Sequence, residues 1–189
     1  NLYSPEAFAA RHKNIKEVST SRSGAASSAL SDWVLEQGGV IYGAGYTDHF
    51  RVVHKRAETK EQRNEFKGSK YVQSDLNDTF AQIKCDLLRG SIVLFSGTPC
   101  QTSGLSSFVG AELRKNLYLI DIVCHGVPSP FIWRDYLRYI ESKVGEKVIS
   151  VDFRDKSKLG WAAHKESFTF PSKKIYKQTY TYLFYEHIM

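Results

Sequence analysis

The stretch from Ser91 to Lys143 repeats one pattern twice, and that repetition limits the fold more than any other feature of the chain. Ser91-Ile-Val-Leu-Phe95 is a short continuous apolar run; Ser96-Gly-Thr-Pro-Cys-Gln101 breaks it, and Thr102 to Val109 follows with helical character. Leu117-Tyr-Leu-Ile-Asp-Ile-Val123 is a second apolar run, ended by Cys124-His-Gly-Val-Pro-Ser129 and followed by an amphipathic helix through Lys143. Continuous apolar strands alternating with helices predict an α/β fold with a parallel or mixed central sheet flanked by helices. In such sheets ligands lie beyond the carboxyl ends of the strands, so the two breaking loops are predicted to share one edge.

The rest of the chain supplies further elements. Ser4 before Pro5 and Glu6 reads as an N-cap with proline at the first helical position, predicting a short helix through about Lys13 and then a Ser/Thr-rich linker. Ala25, Ala26, Ala29, Leu30, Trp33 and Val34 recur at helical spacing, and Gly38-Gly39 closes that helix. Gly39 to Gly45 reads as a buried strand, with Phe50 to Lys55 an alternating strand beside it. Residues 58–66 suggest a charged surface helix, and Ser74-Asp75 the cap of another from Leu76 to about Arg89. After Gly145 the runs Lys147–Phe153 and Lys165–Phe170, separated by a polar turn with Gly160-Trp161, predict a more antiparallel C-terminal extension. The expected organisation is an N-terminal helix and linker over 1–20, an αβ domain over 21–161, and the start of an extension over 162–189. The aromatic run Tyr180–Met189, and Asn1 in place of Met, suggest a piece of a longer chain.

With 189 residues, 42% of them hydrophobic, the chain can bury one sizeable core. It holds no apolar run of the roughly 18 residues that span a bilayer. Cys85, Cys100 and Cys124 form no Cys-x-x-Cys pair, which argues against a disulfide framework and for a reducing cytoplasm. A formal charge of +6 suits an anionic ligand, a nucleic acid or an acidic protein alike. Lys and Arg are spread from Arg11 to Lys177 without a dense run, which disfavours nucleic acid.

Four segments could carry chemistry. Ser96, Gly97 and Thr98 end a strand where backbone N–H groups and a helix N-terminus could meet a phosphate or a reduced flavin ring; the same residues also make an ordinary capping turn. Cys100 at that helix start has the setting of a thiolate, as a redox thiol, an iron–sulfur ligand or a nucleophile, or else packs as a plain cysteine. Cys124 and His125 place a thiol beside an imidazole able to exchange protons near neutral pH. Adjacent residues in one loop seldom give the in-line geometry of a Cys–His nucleophile, which disfavours a hydrolase. Gly68-Ser-Lys-Tyr-Val-Gln-Ser74 combines a cation, Lys70, with an aromatic ring, Tyr71, and the hydroxyl of Ser74, suited to a phosphate and a ring system or to a plain surface loop. Ser23-Gly24 opens the Ala25–Val34 helix as an anion-ready N-terminus.

These segments, in this order, resemble the coenzyme F420 hydrogenase/dehydrogenase beta subunit family: Ser21-Arg-Ser-Gly24, Glu36 to Gly43, Gly68 to Asp75, Gly97-Thr-Pro-Cys-Gln101, Cys124 to Ser129 and Val151 to Lys156. The resemblance implies a flavin-dependent oxidoreductase domain that passes electrons between iron–sulfur clusters and a flavin, deazaflavin or other low-potential partner. It implies FAD as cofactor, held by Ser23, Gly24, Lys70, Tyr71, Ser74, Ser96, Gly97 and Thr98. Cys100, Cys124 and His125 would stand on the electron-transfer side, the two cysteines as possible cluster ligands, with an iron–sulfur domain or subunit as partner in the full-length protein. The family often carries two glycines where this chain has Gly24-Ala25, and its cysteine-rich cluster segments are missing here. Similar domains occur in chains linked to surface-polysaccharide synthesis, so a cofactor-free scaffold is the alternative.

Overall fold

The computed structural model describes residues 5–155 and 165–179. Its centre is a four-stranded sheet in the order β2-β1-β3-β4. β1 (Val40–Tyr46), β3 (Val93–Gly97) and β4 (Leu117–Asp121) run parallel, and β2 (Val52–Ala57) is antiparallel to β1. The predicted mixed sheet is therefore present, and the two apolar runs that announced it are neighbours. Alternate residues of these strands face opposite layers, which is why uninterrupted apolar runs suit them.

On one face Ile41, Ala57 and Leu94 pack with Val34 and Leu35 of α2 (Ala26–Glu36), next to α3 (Lys60–Asn64). On the other, Val40, Tyr42, Val93 and Phe95 meet Ile83 and Leu87 of α4 (Thr79–Leu88) and Leu105 and Val109 of α5 (Pro99–Leu113). Polar bonds pin α4 there: buried Asp86 accepts from Tyr42 Oη at 2.7 Å and from Arg56 Nε at 2.8 Å. Charge-assisted bonds satisfy a carboxylate that burial alone would make costly.

A third cluster lies towards the C-terminus. Trp133, Tyr136, Leu137 and Ile140 of α6 (Pro130–Val144) pack on Phe153, Phe168 and Phe170, with Val52 and Val72 completing the layer. Phe168 belongs to a second sheet, β5 (Ser150–Asp152), β6 (Lys165–Thr169) and β7 (Ile175–Thr179), antiparallel as predicted. Ser129 caps α6, accepting from Phe131 N at 3.2 Å, and Gly145 ends it at φ 78°. Trp133 Nε1 donates to Phe50 O at 2.9 Å and fastens α6 to the main body.

The structure corrects several boundaries. Residues 5–14 form no helix; α1 is Ile15–Thr20, capped by Asn14, whose side chain accepts from Lys16 N at 3.0 Å. His12 N donates to Gly24 O at 2.7 Å, tying the preceding segment to the start of α2. The helix expected from Leu76 begins at Thr79, because Asp75 is used elsewhere: its N–H and C=O pair with Val52 and His54 along the edge of β2. That added strand segment also explains why β2 does not alternate, with Val52, Val53 and His54 all buried. The charged helix keeps Arg63 inside, bonded to Asp32 at 2.8 Å. Ser4, Lys156, the Gly160-Trp161 turn and Tyr180–Met189 lie outside the described residues.

Candidate functional site at the carboxyl edge of the sheet

The parallel strands end side by side. Gly97 pairs in register with Asp121, and Ile122 N donates to Gly97 O at 3.0 Å, so the loops after β3 and β4 leave one edge together. Residues 70–75 cross that edge as a strap. Gln101 Nε2 donates to Ser74 Oγ at 3.0 Å, and Gln73 N donates to Pro128 O at 3.0 Å. The strap thus touches both loops. Just ahead of the strap Lys67 Nζ donates to Thr20 Oγ1 at 3.2 Å at the end of α1, and Arg22 Nη2 reaches Asp152 at 2.9 Å. The segments bearing Ser23-Gly24, Lys70-Tyr71, Ser96-Gly97-Thr98 and Cys124-His125 are thereby linked in one chain of contacts.

The turn after β3 is held mostly by itself. Gln101 N donates to Thr98 O at 2.9 Å, and Gln101 Oε1 accepts from Thr98 N at 3.0 Å. Pro99 has no N–H, so of the residues from Thr98 to Gln101 the Cys100 amide alone lies outside this exchange. A Cβ on Gly97 would sit 2.8 Å from the Phe95 ring and 2.9 Å from Gln101 Oε1, so glycine is required for the packing of the turn itself. Cys100 is exposed with Sγ 3.0 Å from Thr98 Oγ1. Cys124 is half-buried, its Sγ accepting from Gly126 N at 3.4 Å, and His125 is exposed. Among the described residues no three His, Cys, Asp or Glu side chains converge as metal ligands.

Lys70 turns inward. Its ammonium donates to the carbonyls of Glu65, Lys67 and Gly68 at 3.1, 3.2 and 3.3 Å and lies 5.4 Å from the Tyr46 ring centroid. Burial lowers its pKa to about 8 against a smaller upward pull from Glu65. Tyr71 meets Phe153 edge-on at 5.6 Å. Gly24 adopts φ 68°, and a Cβ there would meet Ala10 O at 2.8 Å, so the start of α2 is covered by the chain's own N-terminal segment.

Sequence reasoning missed His54. This buried residue of β2 stacks on Phe95, with ring centroids 4.9 Å apart, and reaches Ser96 O with Nε2 at 3.0 Å. A carbonyl can only accept, so Nε2 carries the proton and Nδ1 is a bare acceptor, with no partner among the described residues. Burial lowers the His54 pKa, keeping the ring neutral. The expected alternation of β2 hid it, since a histidine in an apolar strand reads as a core residue until its acceptor is known. Gln101 was legible as part of the loop, but its bond to Ser74 joins residues far apart in sequence.

Residues 90–183 match the family model for the C terminus of the coenzyme F420 hydrogenase/dehydrogenase beta subunit. No curated protein matches the chain. Among solved structures, the F420-reducing NiFe hydrogenase complex from Methanosarcina barkeri contains a similar chain, at TM-score 0.62 and 15% identity over 90% of this chain and 59% of that one. The present chain therefore spans less than two thirds of that neighbour's length, and at this identity the likeness is one of fold.

Proposed function

Because the chain belongs to the coenzyme F420 hydrogenase/dehydrogenase beta subunit family, we propose that it is the flavin-handling part of a cytoplasmic oxidoreductase whose flavin or deazaflavin sits at the carboxyl edge of the sheet. The observation that carries this reading is the convergence of the β3 turn, the β4 loop and the 70–75 strap on that edge. Open parallel sheets place ligands there for a physical reason: helix N-termini and loops diverge from the strand ends and leave backbone donors around a crevice. The buried, unmatched Nδ1 of His54, beside the Ser96 carbonyl, fits a group that brings an N–H or O–H donor.

The residues present fit a planar ring better than a phosphate. The amides of Thr98 and Gln101 are already engaged and the Lys70 ammonium is shared among three carbonyls, so an anion would have to displace internal bonds. Ser96, Gly97 and Thr98 would hold the ring edge, with Tyr71 and Ser74 on the strap and Ser23 and Gly24 at the start of α2. A bound flavin supplies reversible one- and two-electron chemistry. Cys100, exposed beside the α5 N-terminus, and Cys124 with His125 would then face the electron donor, an iron–sulfur domain or subunit.

The covered N-terminus of α2 favours a second reading, a scaffold that keeps the fold and binds no flavin. Anaerobic titration of the full-length protein with FAD, FMN and a deazaflavin, followed by protein fluorescence and the visible spectrum, separates the two. Saturable quenching with a perturbed flavin spectrum is expected. No binding of any of the three would leave the scaffold reading standing.

A further inference from the structure

Glu166 is out of place in the third core. It is fully buried, at 0% exposure, on the face of β6 that also carries Phe168. Tyr136 Oη donates to its Oε1, while Oε2 has no partner among the described residues. The ionisable groups coupled to this pair are Tyr139 on α6, Tyr176 on β7 and Tyr46 on β1, and Asp152 on β5 acts in turn on Tyr46. All are neutral or acidic, and Asp152 is paired with Arg22. Among the described residues no cation compensates the carboxyl, and a charge in such a place is strongly disfavoured.

We propose that Glu166 is a pH-operated latch between the three-stranded sheet and α6: neutral, it stays buried beside Tyr136 and the small sheet stays closed on the helix; ionised, its need for water draws the small sheet away from the helix. The latch joins parts that are otherwise held mainly by aromatic packing, Trp133 and Tyr136 against Phe168 and Phe153. Because α6 begins directly after the Cys124–Ser129 loop, a change at its buried face is felt at the carboxyl edge of the main sheet.

Desolvation raises the Glu166 pKa from 4.5 to about 7, outweighing the downward pull of the Tyr136 hydrogen bond. The closed form therefore keeps its proton where the opened form has lost it. The stabilisation is complete below 4.5 and is lost as pH rises through about 7. Linkage makes the opening constant grow about tenfold per pH unit between these limits and then level off.

The test is hydrogen exchange on this chain between pH 5 and 8, corrected for the intrinsic pH dependence of exchange, for wild type, Glu166→Gln and Tyr136→Phe. Wild-type protection of residues 165–169 and of α6 is expected to fall about fortyfold from pH 5 to pH 7 and then flatten, with β1 and β3 unchanged. Glu166→Gln, which cannot ionise, gives a flat profile. Tyr136→Phe removes a bond that favours the ionised form and moves the plateau to higher pH. Flat wild-type protection, the same slope in Glu166→Gln, or equal loss in β3 would each overturn the latch. Should Glu166→Gln fail to fold, the wild-type profile and the Tyr136→Phe displacement decide the matter alone.

Discussion

Gln101 Nε2 donates to Ser74 Oγ at 3.0 Å, and this bond ties the first turn of α5 to the strap that crosses the sheet edge. The other end of the same amide accepts from Thr98 N at 3.0 Å, so one side chain sets both the turn and the strap. Gln101→Leu keeps the volume and removes both bonds. It is expected to cost about 1–3 kcal/mol in urea denaturation, with faster exchange of the Gln73 and Asp75 amides. Gln101→Glu still accepts from Thr98 N, can accept from Ser74 Oγ, and places an anion at a helix N-terminus, so its stability should stay within about 1 kcal/mol of wild type.

Lys70 separates two accounts of the strap. Its three carbonyl contacts and its place over Tyr46 make it the brace of the 65–70 turn. Since its pKa is lowered from 10.5 to about 8, it contributes stability that is full above 10.5 and is lost as pH falls through about 8. Lys70→Met should therefore lack the rise in stability that the wild type shows from pH 8 towards pH 10, as read by thermal melting at each pH. A phosphate contact predicts something else: removing a charge-assisted bond worth roughly 1.5–3 kcal/mol weakens FAD binding by about 10- to 150-fold while stability without flavin hardly moves.

The sheet was legible because two apolar runs, Ile92 to Phe95 and Leu117 to Ile120, are bounded by turn signals and are too short for buried helices. Loop order followed from the same runs, which placed Gly97 beside the Cys124 loop. Elements whose polar groups choose distant partners were hidden. Asp75 looks like a helix cap in sequence, yet its backbone extends β2, and nothing local says so. Pro5 predicts a helix start, but the bond from His12 to Gly24 ties the following segment to the start of α2, and it forms no helix. Glu166 carried a weak signal: at period two it shares a face with Phe168 and Phe170, and a carboxylate on an apolar face asks for a partner. Tyr136, thirty residues away on another element, is visible as that partner in three dimensions alone.

His54 and Glu166 oppose one another in acid. Burial lowers the His54 pKa, so its contribution is present above the ordinary value of 6.5 and is lost as pH falls, when the unfolded chain takes up a proton that the folded one resists. Burial raises the Glu166 pKa, so its contribution is present below 4.5 and is lost as pH rises through about 7. Where both act, each has a limiting slope of about 1.4 kcal/mol per pH unit, of opposite sign. In the wild type the two slopes therefore oppose each other below pH 6.5, and each substitution unmasks the other in urea denaturation. His54→Gln retains a donor for Ser96 O, so its stability should increase as pH is lowered from 6.5 to 5, on the Glu166 slope. Glu166→Gln should instead lose stability over the same interval, on the His54 slope. Parallel curves for the two variants would mean that neither buried group governs the pH dependence, whereas curves that diverge towards acid assign one slope to each.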